Sequence, residues 1–393
     1  MLAAGAVVLW TSSVVPGNLK LSGLDQHRYF SAHVIDRAES FGRFTFFDGV
    51  LALIAVLVVL AAYARWGARW MRESAAGRIG TGMLLGMIGL AFTWFAQIPF
   101  GVAQLWWERR HGLAQVGYVE YVVDNWLGLA GEFLFICFAL LIVMALARPL
   151  GDRWWMVGGP FFVGLALLFA FVQPYLIPNL HRLRDPQLAA SARVLERREG
   201  VAATPIEVQD VSSLTSAPNA EATGMGPSRR VVLWNTLLDG RFSNREIRVV
   251  IAHELGHLAR SHIWKLIAWY AVFAIPGAFL IARFTRRRGG MARPEAVPLG
   301  LFVFVALGTL ALPAQNMITR HIEAEADWMA LQAARDPTAQ RSLMQEFTST
   351  SLEEPDPGFV EYVLFENHPT VMQRIAMVEA WKKRQATSAA QSP

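Results

Sequence analysis

The chain has 393 residues, of which 54% are hydrophobic and only 17% are charged, and its mean hydropathy is positive. This balance is typical of a membrane protein and excludes an ordinary soluble globular protein, which carries about 25% charged residues. The formal charge of +5 does not indicate nucleic-acid binding, because most of the excess lies in short loops between apolar segments. We therefore expect a mainly α-helical, multi-pass membrane protein with no nucleic-acid partner.

Apolar runs long enough to cross a bilayer, which needs about 20 residues, recur along the chain. They lie at 49–64, 80–106, 126–147, 155–177, 264–282 and 297–314. A shorter run at 2–15 is interpreted as a short or truncated first span rather than a signal peptide. No charged segment precedes this run and no clear small-residue cleavage site follows it. The sequence therefore predicts about seven transmembrane helices.

Two polar segments interrupt this pattern, and we expect them to fold together as one unit of helices and a small sheet. The alternation of Ile206, Val208 and Val211 and the run 231–234 predict short strands in the first of them. The predicted division is a membrane region of about five helices, a polar segment, two membrane helices, a second polar segment and a disordered tail, at 1–178, 179–263, 264–314, 315–384 and 385–393.

The most specific motif lies in the first polar segment and reads His253-Glu254-Leu255-Gly256-His257. On a helix, H-E-x-x-H places two imidazoles one turn apart with a carboxylate beside them, which predicts a Zn²⁺ site with its own general base. The segment 243–246, Ser-Asn-Arg-Glu, predicts a capping box that opens this helix. Two surface histidines on an ordinary helix are the alternative, which the apolar flanking residues disfavour.

A catalytic zinc site needs a third protein ligand and keeps its fourth position for water. The segment 319–327 follows the last apolar run and carries three acids, Glu323, Glu325 and Asp327. At about 100° per residue, Glu323 and Asp327 share one helix face, whereas Glu325 points about 200° away from Glu323. One face can thus supply a ligand and an acid that accepts the other N–H of a ligating histidine. A solvated acidic helix end is the alternative.

Four motifs, taken together, resemble the type I CAAX prenyl protease family. Its members are membrane-embedded gluzincin zinc metalloproteases that include CAAX prenyl endopeptidases and heat-shock membrane proteases. The motifs are H-E-L-G-H at 253–257, Thr319-Arg320 through Glu323 to Ala326-Asp327, His368-Pro369-Thr370 followed by Arg374-Ile375, and Asn219-Ala220 upstream of 231–233. The family usually has serine where this chain has Thr319, so the match departs slightly from the pattern there.

The resemblance implies one Zn²⁺ per chain, bound by His253, His257 and Glu323. It also implies that Glu254 is the catalytic base that activates the metal-bound water. Asp327 is then expected to be the supporting acid, which would accept the N–H of a ligating histidine and fix its tautomer. The fold that it implies is a bundle of membrane helices with a gluzincin protease domain.

The resemblance further implies that His368 and Asn219 contact the substrate backbone or the tetrahedral intermediate, with His368 as a donor to the oxyanion. The predicted activity is hydrolysis of membrane-associated or lipid-modified peptides, or of damaged membrane proteins, and membrane lipids are expected partners. The alternative is a non-catalytic scaffold, transporter or chaperone with a structural zinc site. Such a site normally has four protein ligands, whereas three are predicted here.

The orientation in the membrane, expected to be a bacterial plasma membrane, is predicted from the basic residues of the short loops. Three loops on the side opposite the zinc segments carry Arg65, Arg69, Arg72, Arg78, Arg148, Arg153, Arg283, Arg286, Arg287, Arg288 and Arg293. The positive-inside rule places these loops in the cytoplasm and the active site outside. The resemblance implies the opposite orientation, since the eukaryotic relatives face the cytosol.

Overall fold

A computed structural model describes residues 2–69, 74 and 76–390 of the chain. In chain order its helices are α1 (Leu2–Thr11), α2 (Ala32–Trp66), α3 (Gly77–Arg110), α4 (Tyr118–Leu150), α5 (Trp155–Val172), α6 (Pro186–Glu199), α7 (Asn244–Ala259), α8 (His262–Thr285), α9 (Val297–Ala334), α10 (Pro337–Ser351), α11 (Phe359–Leu364) and α12 (Val371–Ala390). Its strands are β1 (Leu180–Arg182), β2 (Ile206–Gln209), β3 (Ala220–Thr223) and β4 (Arg230–Trp234). The mainly helical fold class with a small sheet is therefore confirmed.

Among the described residues, six helices are long and apolar enough to cross a membrane, namely α2, α3, α4, α5, α8 and α9. They pack side by side in the order α4, α3, α2, α9, α8 and α5. The predicted first span is instead the ten-residue helix α1. At 1.5 Å per residue it is about 15 Å long, half the thickness of the hydrocarbon core. The prediction of about seven spans thus becomes six candidate spans and one short helix.

The chain after α1 lies across the polar unit instead of continuing as a helix. Val14, Val15 and Leu19 pack against a cluster that includes Trp328 of α9 and Trp381 of α12. The polar run Thr11-Ser12-Ser13 ends the apolar segment here, and the hydroxyls of Thr11 and Ser12 bond to carbonyls of the last helical turn. The N-terminal segment is therefore packed against α12 and against α9, the helix that carries Glu323, Glu325 and Asp327.

The two polar segments share one hydrophobic core, built from the sheet, α6, α7, the second half of α9, α10 and α12. The sheet order is β1-β2-β4-β3, with β2 and β4 parallel and the two outer pairs antiparallel. The strands predicted around 206–211 and 231–234 are β2 and β4. The strand β3 forms one edge of the sheet and packs against α7, so a free strand edge lies beside the H-E-x-x-H helix.

Two boundaries of the predicted division fall differently in the structure. Helix α9 runs without a break from 297 to 334, so the second polar segment begins inside the last membrane helix. Helix α12 continues to residue 390, through most of the tail that was predicted to be disordered. Residues 385–390 contain three alanines and neither glycine nor proline, a composition that extends a helix already begun. The last three residues lie outside the described part.

The three arginine-bearing loops meet at the end of the bundle that is remote from the sheet. Arg286 pairs with Asp152 at 3.0 Å across two of these loops. Arg288 donates to the carbonyl of Ala64 at the end of α2. Arg72 lies outside the described residues. The described basic residues used for the orientation argument therefore lie at the end of the bundle opposite the polar unit.

Candidate active site

Helix α7 carries the H-E-x-x-H motif and begins as the sequence predicts. The hydroxyl of Ser243 accepts a hydrogen bond from the N–H of Glu246, and the Glu246 carboxylate accepts one from the N–H of Ser243. This capping box satisfies backbone donors that a helix start leaves without partners. The apolar face of α7 is buried, and Ile251 and Leu255 are fully inaccessible. The two histidines are thus presented from a helix fixed by core packing.

Gly256 lets α7 and α9 approach each other closely. A Cβ atom at this position would lie 2.9 Å from the Cβ of Met329 and 3.4 Å from the carbonyl oxygen of Ala326. Both of these residues are on α9, close to the acids of that helix. A side chain at 256 would therefore push the histidine-bearing helix away from the acid-bearing helix.

His253, His257 and Glu323 form a triangle of potential ligand atoms. The Nε2 atoms of the two histidines are 3.1 Å apart, and the Glu323 Oε2 atom is 3.1 Å from His253 Nε2 and 3.6 Å from His257 Nε2. Ligands about 2.0–2.1 Å from a tetrahedral zinc ion lie about 3.3–3.4 Å from one another. These three side chains therefore fit a tetrahedral Zn²⁺ with little movement, and the sequence predicted the same three.

Asp327 supports the first of these histidines from α9. Its Oδ1 atom lies 3.0 Å from the Nδ1 atom of His253, and only 2% of the residue is exposed. Arg374 of α12 donates two hydrogen bonds to the same carboxylate, at 2.7 and 2.8 Å. Burial alone would lower the pKa of Arg374, but the charge and hydrogen bonds of Asp327 raise it. The sequence predicted this place for Asp327 but gave Arg374 no role.

The acids around His253 also determine where its ring carries hydrogen. Burial alone would lower the pKa of His253, but hydrogen bonds to Asp327 and Glu323 raise it to about 10. A metal ion at Nε2 must displace the proton from that atom, while Asp327 keeps the hydrogen on Nδ1. With a metal ion at Nε2, the contact of Asp327 with Nδ1 therefore selects the tautomer that a metal ligand needs.

A second set of contacts lies behind His257, and sequence reasoning missed it. The Nδ1 atoms of His257 and His262 are 2.9 Å apart, and His262 Nε2 lies 3.0 Å from Glu325 Oε2. Lys265 approaches the same carboxylate oxygen to 2.6 Å. The side chains of His262 and Glu325 are each 1% exposed. The sequence did offer one indication of this contact, because His262 is a third histidine five positions after His257. That spacing, however, does not place the two side chains on one face of a continuous helix.

The remaining predicted residues are Glu254, His368 and Asn219. Glu254 is buried, with 7% of its surface exposed, and follows His253 on α7. His368 lies between α11 and α12, and its Nε2 atom is 3.3 Å from Glu323 Oε2. Asn219 is exposed at the start of β3, where its side chain accepts the N–H of Ala220. Five predicted residues are joined by hydrogen bonds or short contacts, namely His253, His257, Glu323, Asp327 and His368. Glu254 has no such contact among the described residues, and Asn219 lies at the edge strand β3.

Comparison with known proteins places this arrangement in a family. Residues 182–382, just over half of the chain, match the profile of peptidase family M48. The Bacillus subtilis protein named "Uncharacterized metalloprotease YhfN" is 25% identical over 274 residues, which cover 66% of this chain and 63% of that protein. The CAAX prenyl protease 1 homologue of Arabidopsis thaliana is 27% identical over 329 residues, covering 76% of this chain and 74% of that protein.

The fold is also similar to a solved structure, that of S. mikatae Ste24p. The TM-score is 0.76 at 15% identity, and the match covers 96% of this chain and 94% of the other. At this identity the likeness concerns the fold alone. The six long apolar helices are those of an integral membrane protein. The match to the family includes α7 and the part of α9 that carries the acids. The chain therefore belongs to peptidase family M48 and is similar to the CAAX prenyl proteases of that family.

Proposed function

We propose that this protein is a Zn²⁺-dependent endopeptidase that cleaves peptide bonds at the membrane boundary. The observation that carries the proposal is the place of Glu254. It is buried beside the three-residue triangle but does not belong to it, and no hydrogen bond joins its carboxylate to another described side chain. A structural site would use a fourth protein ligand, whereas a catalytic site leaves room for water and a base.

The residues around the triangle have distinct parts in this proposal. A bound Zn²⁺ would act as a Lewis acid that polarises the scissile carbonyl and makes water more acidic. Glu254 takes the proton from the attacking water and passes it to the leaving amine, which contributes about 10²–10⁴-fold. His368 reaches the site from the other side and donates a hydrogen bond to the developing oxyanion. Asp327 holds His253 in the required orientation throughout.

The edge strand β3 is the proposed dock for the substrate backbone. The Trp234 N–H bonds to the Asn219 carbonyl, so the N–H and C=O groups of 219, 221 and 223 face β4. Those of Ala220 and Ala222 then point away from the sheet. Because Asn219 Oδ1 accepts the Ala220 N–H, an extended peptide can pair with the Ala220 carbonyl and with both groups of Ala222. Burial, and secondly the charge of Glu254, raise the pKa of Glu221. The proposal is further supported by the packing of β3 against α7, the helix that carries Glu254.

The decisive test compares the purified wild type with Glu254→Gln. Both should contain one zinc per chain, and the variant should lose about 10²–10⁴-fold in cleavage rate. Three substrates are used, namely an unfolded reporter protein, a short farnesylated peptide and the same peptide without the farnesyl group. Preference for the farnesylated peptide supports a lipid-modified substrate, and equal cleavage of both peptides removes that part of the proposal. Wild-type rates in Glu254→Gln would eliminate Glu254 as the base.

We further propose that the metal-binding unit faces the outside of a bacterial plasma membrane. The arginine-bearing loops meet on one surface at the opposite end of the bundle, and positive loops favour the cytoplasm. Cys137 is the only cysteine, so a Cys137→Ser background gives a chain without thiols. In that background Ser213→Cys should react with an impermeant thiol reagent in intact cells, and Arg287→Cys should not. The reverse pattern would establish the opposite orientation.

A further inference from the structure

His257 has a hydrogen-bonded support of its own, formed by residues outside the proposed catalytic set. The support runs from His257 Nδ1 to His262 Nδ1 at 2.9 Å, and from His262 Nε2 to Glu325 Oε2 at 3.0 Å. Glu325 also accepts from Lys265 at 2.6 Å and from the backbone N–H of Val14 at 2.9 Å. Arg260 Nε also lies 3.4 Å from Glu325 Oε1, so four groups contact the carboxylate.

The positions of the hydrogens follow from what each ring atom faces. The Nε2 atom of His257 faces Glu323 and His253, so Nε2 is the atom that would bind the metal ion. A histidine nitrogen that binds a metal ion carries no hydrogen. The hydrogen of neutral His257 is then on Nδ1 and is donated to His262 Nδ1. His262 in turn has its hydrogen on Nε2 and donates it to Glu325. Each ring nitrogen in this arrangement has a partner, as buried polar groups require.

The backbone is shaped to make this contact. His262 follows His257 by five residues, which on one continuous helix would place the two side chains about 140° apart. Instead α7 ends at Ala259, and Ser261 adopts a left-handed conformation with φ 54°, after which α8 begins. Serine rarely adopts this conformation, and such backbone strain is found at functional sites. The turn brings His262 back beside His257.

We propose that His262 and Glu325 are positioning residues that fix the ring and tautomer of His257, as Asp327 does for His253. This inference rests on the proposed function, because it assigns a role toward the same metal ion. Helix α9 would then support both histidines, from Asp327 on one face and from Glu325 on another. Removal of such a partner from a ligating histidine typically weakens metal binding about 10–100-fold.

The test measures zinc affinity by competition with a chromophoric chelator, independently of cleavage. His262→Phe keeps an aromatic ring at this position but removes the Nδ1 atom that accepts the hydrogen of His257. This variant should raise the zinc Kd about 10–100-fold. His262→Gln offers an amide oxygen to His257 and should recover a large part of this loss. The matched control is His321→Phe on α9, whose Nε2 atom has no partner among the described residues and which should bind zinc like the wild type. Wild-type affinity in His262→Phe would overturn the inference.

A second measurement uses the unaltered protein, in case the variants do not fold. With ¹⁵N-labelled histidine and zinc bound, His262 should appear as a neutral ring with its hydrogen on Nε2, and His257 with its hydrogen on Nδ1. A His262 ring with its hydrogen on Nδ1, or with two hydrogens, refutes the inference. Failure of the wild type to cleave any peptide would instead refute the proposed function and leave these affinity and tautomer results standing.

Discussion

Replacement of Asp327 tests whether its two contacts have separable effects. Asp327→Asn keeps the shape of the side chain but leaves the guanidinium of Arg374, which is 9% exposed, without its negative partner. Loss of one member of a buried ion pair costs about 3–5 kcal/mol. For a folding unit of about 200 residues, 1 kcal/mol corresponds to about 2–4 °C, so the unfolding temperature should fall by about 6–20 °C. Zinc affinity should fall by about 10-fold, because the amide oxygen can still accept the N–H of His253 but the negative charge that fixes the His253 tautomer is lost.

The double variant Asp327→Leu/Arg374→Met separates stability from metal binding. Apolar residues of similar volume often replace a buried ion pair without loss of stability, so most of the unfolding temperature should return. The Nδ1–H of His253 would still have no acceptor, so the zinc Kd should remain about 10–100-fold above that of the wild type. Tryptophan fluorescence in detergent gives the unfolding temperature, and chelator competition gives the Kd. Recovery of full zinc affinity in the double variant would refute the role of Asp327 toward His253.

Three further predictions follow from packing, strand pairing and burial. Gly256→Ala should destabilise the protein by about 1–3 kcal/mol and weaken zinc binding, because the new Cβ would lie 2.9 Å from Met329 Cβ. Gly277→Ala in α8, where nothing lies within 4 Å, is the control and should not destabilise. Ala222→Pro removes an outward-facing N–H from β3, so kcat/KM should fall about 5–10-fold while zinc affinity stays unchanged. An unchanged kcat/KM would exclude pairing of the substrate backbone with β3 at Ala222. Burial raises the pKa of Glu199 to about 8. Because the folded state then binds more protons than the unfolded state, stability should fall as pH rises from about 4.5 to 8. Glu199→Gln should therefore stabilise the protein by about 2–4 kcal/mol at pH 8.5 and have little effect at pH 4, as measured by thermal unfolding.

The parts of the site that were predictable from sequence are those set by the period of one helix. The four-residue spacing of His253 and His257, and of Glu323 and Asp327, places each pair on one face, and the structure has them there. The capping box at Ser243 was equally local, because all its members lie within one turn. These features depend on intrahelical geometry, which the order of residues determines directly.

The parts that were missed depend on how separate elements meet. His262 contacts His257 because the helix is interrupted at Ser261, which adopts a left-handed conformation. No glycine or proline at this position indicates the interruption in the sequence. Arg374 was part of a recognised motif, but its contact with Asp327 joins two residues on different helices that are 47 positions apart in sequence. The short helix α1 and the long helix α9 also differ from the predicted boundaries, because an apolar run does not define where a helix ends.

The direction of Glu325 shows how the two kinds of information combine. Helical geometry correctly placed this acid away from Glu323, which suggested that it faces away from the metal site. In the structure the opposite face of α9 meets α8, where His262 lies against His257. Glu325 points away from Glu323, but it can support the other ligand His257 because His262 of α8 lies between the two side chains. The geometry of the metal site therefore depends on the packing of α9 against both α7 and α8, so a disturbance at either interface should reach the metal.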